Sequence, residues 1–457
     1  VLLALLPLSL AGSIDILEVG GVSGTPTSTD GTAAWWNPAG LTAEPGGRVT
    51  VDGAYTWGVN TWTRTGARPG SSEIRGASPL PYVGVAWSGP GGLGLGAALA
   101  VPYATGGREV SRGANAYYTR DASMLAAYGI VGAAWQPTPR VSFGLSGAAV
   151  VSSMSSVVDQ DTVPDLHQTL QDMGQESPYT DADLEDPAYA AVVELGPLTD
   201  TTWTVGVGAR FQLSDQLVLG ISGWRGVDVA NTGDATLHFG CPPQTDSVGR
   251  FGAESRGVCH EQIRARATSR YSLPHRVSAG LAWTAPKGVR IEAMGGWVGW
   301  SAQQELVIEL RDVGELNPHL EPEIAAQMER DSLKARDLRD GVWGGVDVKA
   351  RVQPWLVVGG RALYDRSVVP SHAMSPANAD FDQWLLSAMV AVDVGPRVRL
   401  GVSWTHTLQQ TRVVTDSAYA MSLDAASQPA ARYQAPAANG TYAGQRDRVA
   451  LTLGVRF

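Results

Sequence analysis

From residue 48 to the last residue, apolar side chains recur at every second position. The closing segment RDRVALTLGVRF shows it plainly. Val449, Leu451, Leu453, Val455 and Phe457 fall on one face, and Arg448, Ala450, Thr452, Gly454 and Arg456 fall on the other. In TWTVGVGARFQL, Trp203, Val205, Val207, Ala209, Phe211 and Leu213 oppose Thr202, Thr204, Gly206, Gly208, Arg210 and Gln212. RVSFGLSGAAVV and RVRLGVSWT repeat the pattern. A period of two is a strand with one apolar face and one small or charged face. In a soluble sandwich the apolar face points inward; in a membrane barrel it points to lipid and the other face lines a lumen.

The connections decide between these. The pattern predicts about fourteen strands, over 48–59, 80–88, 92–103, 121–136, 140–153, 202–213, 216–229, 274–285, 288–310, 339–353, 355–366, 381–395, 397–408 and 446–457. The links alternate between short (GPG, PTP, SD, PK, P, GP) and long: 60–79, 104–120, 154–201, 230–273, 311–338, 367–380 and 409–445. Tight turns at one end and long loops at the other are the signature of an outer-membrane barrel, and an even count puts both termini on the periplasmic side. Trp87, Trp135, Trp224, Trp283, Trp355 and Trp404 stand near strand ends, where a lipid–water aromatic belt would need them. Phe457, at the end of an alternating strand, fits an outer-membrane assembly signal. Two long loops carry helical spacing, DLHQTLQDMGQ at 165–175 and EPEIAAQMERDSLKARDLRDG at 321–341.

Composition agrees. Only 17% of the 457 residues are charged, against about 25% in an average soluble chain. Glycine, at 54, and tryptophan, at 15, are abundant. No apolar run after the N-terminus reaches the ~18 residues that a membrane helix needs. A net charge of −10 argues against nucleic acid as a partner. The first residues, VLLALLPLSLAGS, read as the apolar core of a secretory signal, with Ser9 and Ala11 as the small residues before a cleavage site. Residues 1–11 are therefore expected to be signal remnant. In an exported protein Cys241 and Cys259 are expected to pair. His238 and His260 beside them leave zinc as the other reading. No Gly-x-Ser-x-Gly elbow occurs and histidines number seven, so no catalytic residues, enzyme activity, resident metal or cofactor are expected.

One stretch, GTAAWWNPAGL at 31–41, fits neither helix nor central strand. Its AWWNPAGL resembles the Asn-Pro-Ala segment near the mature N-terminus of the FadL/TodX family of outer-membrane transporters. GGLGLGAALAVPYATGGRE resembles that family's third strand and following loop, and VSFGLSGAAVV its fifth strand. VWGGVDVKARVQPWLVVGGRALYDRSVVPSHAMSPANADFDQWLLSAMVAV resembles its late block, and VALTLGVRF its last strand.

The resemblance implies an all-β fold: a monomeric fourteen-stranded antiparallel transmembrane barrel over 48–457, plugged by an N-terminal hatch over 12–47. It implies a protein of the outer membrane of a Gram-negative-type bacterium, in contact with lipid and lipopolysaccharide. Its ligand would be a long-chain fatty acid or another hydrophobic small molecule. Capture would occur at loops 154–201 and 230–273, followed by passage into an apolar pocket. Release would be sideways through a kink in the third strand, where Pro102, Gly106 and Gly107 stand. Asn37, Pro38 and Ala39 would hold the hatch turn, since Pro38 fixes its own backbone and the Asn37 amide can bond the turn. Ile14, Ile16, Leu17, Val19, Trp35 and Trp36 would give apolar contact in hatch and pocket. Inward arginines such as Arg210, Arg399, Arg448 and Arg456 are expected, from their own positions, to solvate the lumen and pin the plug by holding acidic hatch residues, with a ligand carboxylate as the other reading. A general porin, or a structural surface barrel, is the competing reading of the same pattern.

Overall fold

The computed structural model describes residues 14–457 except 67–68, 111–112, 162, 164–173, 175, 177–182, 184, 240–261, 330–331 and 419–437. Nineteen strand segments run in sequence: β1 (Gly46–Arg64), β2 (Gly70–Ser88), β3 (Leu93–Glu109), β4 (Asp121–Thr138), β5 (Val141–Asp161), β6 (Ala190–Gln212), β7 (Leu217–Trp224), β8 (Val227–Phe239), β9 (Gln262–Leu273) and β10 (Arg276–Thr284). Then come β11 (Val289–Val298), β12 (Glu305–Arg311), β13 (Ser332–Ala335), β14 (Gly341–Gln353), β15 (Leu356–Asp365), β16 (Gln383–Val394), β17 (Val398–Gln409), β18 (Arg412–Val414) and β19 (Gly440–Arg456). Five pairs (β7/β8, β9/β10, β11/β12, β13/β14 and β17/β18) are halves of single barrel strands, each half keeping the same neighbours. β7 and β8 both pair with β6, for example, and β17 and β18 both with β19. The sheet is therefore a closed antiparallel barrel of fourteen strands, sealed where β1 meets β19 from Arg48↔Arg456 to Arg64↔Gly440.

The period-two faces sort as a membrane barrel requires. Trp203 (73% exposed), Val205 and Val207 face out, whereas Thr204 is buried in the lumen. On β19, Leu451 is exposed while Arg448 and Ala450 are buried. Trp87, Trp135, Trp283, Trp355 and Trp404 lie on the outer surface. Trp224 does not: it is 5% exposed and packs inside, which corrects its place in the belt. It falls on the inward register of β7, beside buried Ser222.

Strand ends differ from the sequence reading in a consistent way. The expected loop 60–79 shrinks to 65–69, because Asn60–Arg64 and Ser71–Ile74 continue the β1–β2 ladder. Apart from Trp62, which packs inward, these residues are polar or β-branched and project above the lipid, where apolar alternation has no reason to persist. Likewise β6 begins at Ala190 rather than 202, and β5 runs to Asp161. The expected single strands 216–229 and 288–310 are each broken, after Trp224 and after Val298, and the strand expected at 274–285 is preceded by β9 in what was read as loop. Pro274, which has no N–H for the ladder, marks that last break. The helix expected through 321–341 is confined to Pro322–Met328, and the chain then joins the sheet as β13, paired with β12. The expected helix at 165–175 lies outside the described residues.

Candidate functional site

Residues 14–45 make no strand and fill the short-turn end of the lumen. Two single-turn helices, α1 (Ile14–Leu17) and α2 (Ala33–Trp36), and two 3₁₀ turns, Gly21–Ser23 and Pro38–Thr42, carry the plug. The Trp35 and Trp36 side chains are almost wholly buried, as are Ile16, Leu17 and Val19. Asn37, extended at φ −161°, caps the turn that Pro38 opens: its Oδ1 accepts from Ala39 N at 3.1 Å. Its Nδ2 donates to Pro26 O within the plug and to Ala209 O on β6, both at 3.0 Å. Ala39 O in turn accepts from Ser142 Oγ on β5 at 3.1 Å.

The small residues on the inner faces now have a purpose. A Cβ at Gly144 would lie 2.3 Å from the Pro38 carbonyl carbon, one at Gly208 would lie 2.1 Å from Asn37 Oδ1, and one at Gly220 would lie 2.2 Å from Pro26 O. Glycines on β5, β6 and β7 let the plug backbone rest directly on the wall. On the opposite side the anchoring is by charge. Glu18 pairs with Arg446 at 3.0 Å. Arg361, itself paired with Asp347 at 3.1 Å, donates to Gly21 O, Val22 O and Gly24 O at 3.3, 3.0 and 2.9 Å. Of the arginines singled out in the sequence, Arg456 stands 4.0 Å from Glu44 of the plug. Arg448 and Arg399 pair with wall carboxylates, Asp52 and Asp393, and Arg210 donates to Gln212.

Above the plug lies an aromatic cluster. Trp35 meets Tyr128 edge-on at 5.4 Å and Trp224 at 5.4 Å; Tyr103 meets Tyr128 at 6.3 Å and Trp300 at 6.1 Å. Arg276, at the first position of β10, lies within it, 5% exposed. Its guanidinium stacks 3.6 Å above the Trp35 ring and donates to Trp35 O at 3.2 Å. Among the described residues these rings and that carbonyl are its partners, with no carboxylate among them. Burying an uncompensated cation is costly, and ring faces offset only part of the cost. Sequence reading missed Arg276, Tyr103 and Tyr128; the one available signal was a lone Arg on the inward register of a strand directly after Pro274-His275.

The wall beside this cluster is open. Pairing of β2 with β3 stops after Arg75↔Arg108 and resumes only at Val83↔Leu99. On its other edge β3 skips Val101 and Pro102, passing from Ala100↔Tyr128 to Tyr103↔Ala126. Pro102 has no N–H to give, and the extra residue bends the strand as a bulge does. Gly106 and Gly107 are placed differently: they pair regularly with Ser123 and Ala122. Their service is close approach, since a Cβ on Gly76 would lie 2.2 Å from Gly106 O. A cavity of about 180 Å³ occupies the gap, lined by Ser78, Tyr103 and Gly106 of the wall, by Phe381 and Asp380, and by Arg446. Asp380 belongs to the 366–382 connection, which folds into the lumen. It accepts from Val368 N at 2.7 Å, and burial pushes its carboxyl above the usual carboxylate range.

His238 lies in β8, opposite Gln262. Cys241, Cys259 and His260 fall outside the described residues, and among the described residues no group of His, Cys, Asp and Glu could hold a metal ion.

A closed fourteen-stranded barrel with an apolar outer face, filled at one end and breached in its side wall, defines a plugged transmembrane β-barrel. No protein-family model and no curated protein matches the sequence. Solved structures do match, and they show that this is the FadL/TodX fold. The chain is similar to a Pseudomonas aeruginosa FadL homologue at 13% identity, over 99% of each chain, with a TM-score of 0.77. It is similar to the P. putida toluene transporter TodX at 13% identity, over 96% of this chain and 97% of that one, TM-score 0.66. The CymD monoaromatic hydrocarbon channel matches at 14% identity over 93% of each chain, TM-score 0.60.

Proposed function

We propose that the protein sits in the outer membrane of a Gram-negative-type bacterium and takes up hydrophobic compounds. Long-chain fatty acids or similar carboxylate-bearing amphiphiles are the favoured class. The cargo enters from the outside, rests in the aromatic cluster, and leaves sideways through the β2–β3 gap. The observation that carries this reading is that gap: seven wall residues, Gly76–Tyr82, have no ladder partner on β3, beside a cavity lined in part by Arg446, which pairs with Glu18 of the plug. A hydrophobic molecule gains nothing from a route into water but gains ~0.8 kcal/mol for each CH₂ kept out of it. A breach at lipid depth supplies such a route. Arg276 favours an acidic head group over a plain hydrocarbon, because an incoming carboxylate would neutralise a buried charge. The structurally similar toluene transporter and monoaromatic channel support the hydrophobic class. A general porin fits poorly, since the plug fills the lumen with buried side chains.

The test fills the gap. Ala104→Trp places a large ring among its lining residues, and Val131→Trp, on the exposed lipid face, is the control. Expected is loss of labelled fatty-acid uptake in the first and unchanged uptake in the second, with both barrels folded. Normal uptake by a folded Ala104→Trp protein refutes sideways release.

A further inference from the structure

At the short-turn end, below the plug, the lumen widens into a vestibule of about 760 Å³. Its lining is basic: eight cations face it against four carboxylates, in a chain whose overall charge is −10. Several of these charges are already spent. Arg351 and Arg399 share Asp393, and Lys349 pairs with Asp347 at 3.1 Å, whereas Arg290 meets Glu292 at 2.8 Å through Nη2 alone, which leaves its Nη1 and Nε without a partner among the described residues. The carboxylates that remain are largely committed to the plug itself. Asp30 accepts from Thr32 N and Oγ1 at 2.8 and 2.6 Å, and Glu44 accepts from Thr29 Oγ1 at 2.7 Å.

Among the described residues three of the lining cations, Arg48, Arg210 and Arg397, have no ion pair; Arg397 is exposed, whereas Arg48 is buried and Arg210 half-buried. Arg48, 3% exposed, spends its terminal nitrogens on the Leu41 and Glu44 carbonyls, and its Nε has no partner. Among the described residues the side-chain partner of Arg210 is neutral Gln212 alone, and its buried Nε has none. Arg210 and Arg290 line the same cavity. Like charges held together in a half-buried cavity are unfavourable unless an anion lies between them. Hydroxyls of Thr27, Ser28, Thr29 and Thr50 line the same space and can add neutral donors. Planar guanidinium forks on several strands, with hydroxyls beside them, are the chemistry that recognises a phosphoryl oxyanion.

We propose that this vestibule binds a small phosphate-bearing anion, held by Arg48, Arg210 and Arg290, which ties the plug to separate parts of the barrel wall. Arg48 is on β1, Arg210 on β6 and Arg290 on β11, and Arg290 already donates to Thr27 of the plug. A bound dianion thus bridges plug and wall and slows plug opening. The proposal is independent of what the channel carries, so either can fail without the other.

The full-length protein in a non-ionic detergent is titrated with inorganic phosphate by calorimetry, and plug amides 19–42 are followed by hydrogen exchange. Saturable binding is expected, with slower plug exchange. Arg210→Gln is expected to weaken binding by about tenfold or more, the loss of one charge-assisted bond. Arg399→Gln, whose Nε and Nη2 are both bonded to Asp393 at 2.6 and 3.0 Å, should change it little. Glycerol phosphate and short-chain phosphatidylglycerol separate the sources: a free phosphate site favours the first and a lipid head-group site the second. Chloride at equal ionic strength giving the same response as phosphate would mean simple screening and overturns the proposal, as does the absence of any saturable signal. If Arg210→Gln does not fold, Arg290→Gln carries the same test.

Discussion

The buried Asn37 amide holds the turn of the plug through three hydrogen bonds. Asn37→Ala removes three hydrogen bonds, to Ala39 N, Pro26 O and Ala209 O, from a fully buried position. Each is worth about 1 kcal/mol net. The Ala209 carbonyl that loses its extra donor belongs to the wall and cannot follow the plug, so no new partner repays the loss. Only the Ala209 bond crosses to the wall, so docking as such weakens by about 1 kcal/mol, whereas opening the turn, which breaks all three bonds, becomes easier by on the order of 3 kcal/mol. The second figure corresponds to a rise on the order of 100-fold in the population of plug whose turn is open and undocked. Hydrogen exchange of amides 19–42 reads that population, with 141–151 on β5 as internal reference. Plug exchange should rise by that order while the β5 amides and the closed-barrel gel mobility stay unchanged. A rise of less than about threefold would refute the assignment of the turn as the anchor of the plug. Asn37→Asp keeps the acceptor but loses both donations and buries a charge, so it should be at least as disruptive.

Two further outcomes follow from side chains outside that turn. Arg276→Met keeps the stem on Trp35 but deletes the charge, so uptake of a long-chain fatty acid should fall about tenfold or more while uptake of its methyl ester holds; equal losses would remove Arg276 from head-group recognition. Glu109 ends β3 beyond the lipid-facing residues, and its carboxyl is pushed up to about 7 by burial, with repulsion from Asp159 adding to it and the Gly113 N–H opposing. The folded state therefore favours the neutral acid. The stability this gives to the 109–120 hairpin is complete below the ordinary value of 4.5 and is lost as pH rises through about 7. Exchange at amides 113–119, corrected for intrinsic rate, should quicken between about pH 5 and about pH 8 and lose that dependence in Glu109→Gln.

Fourteen strands were legible because lipid enforces a simple rule: every strand crossing it shows apolar residues at every second position. The rule stops at the edge of the lipid. Asn60–Arg64 and Ser71–Ile74 pair as well as any residues in the barrel, yet nothing in their polarity distinguishes them from loop. Trp224 was misplaced for a related reason. A tryptophan near a strand end looks the same whether it meets head groups or fills the lumen, and only register separates the two. Pro102 was readable as a ladder breaker, whereas Gly106 and Gly107 proved regular, because glycine signals both a bend and a close approach. The Arg276 cluster assembles side chains from β3, β4, β7, β10 and the plug, and such distant positions leave no local trace.

The seam joins the plug to barrel closure. The plug runs without interruption into β1, and β1 closes the ring against β19. Gly47, the second residue of β1, and Phe457, just past the end of β19, exchange two backbone bonds there, at 2.8 and 2.9 Å. A plug that seats on β5, β6 and β7 while the sheet is still an open ribbon needs no later insertion, and β19 then closes against β1 over a guest already in place. In that order the plug acts as a mould for the seam. A damaged turn at Asn37 would then be felt twice, once as a loose plug in the finished channel and once, earlier, as a slower closing seam.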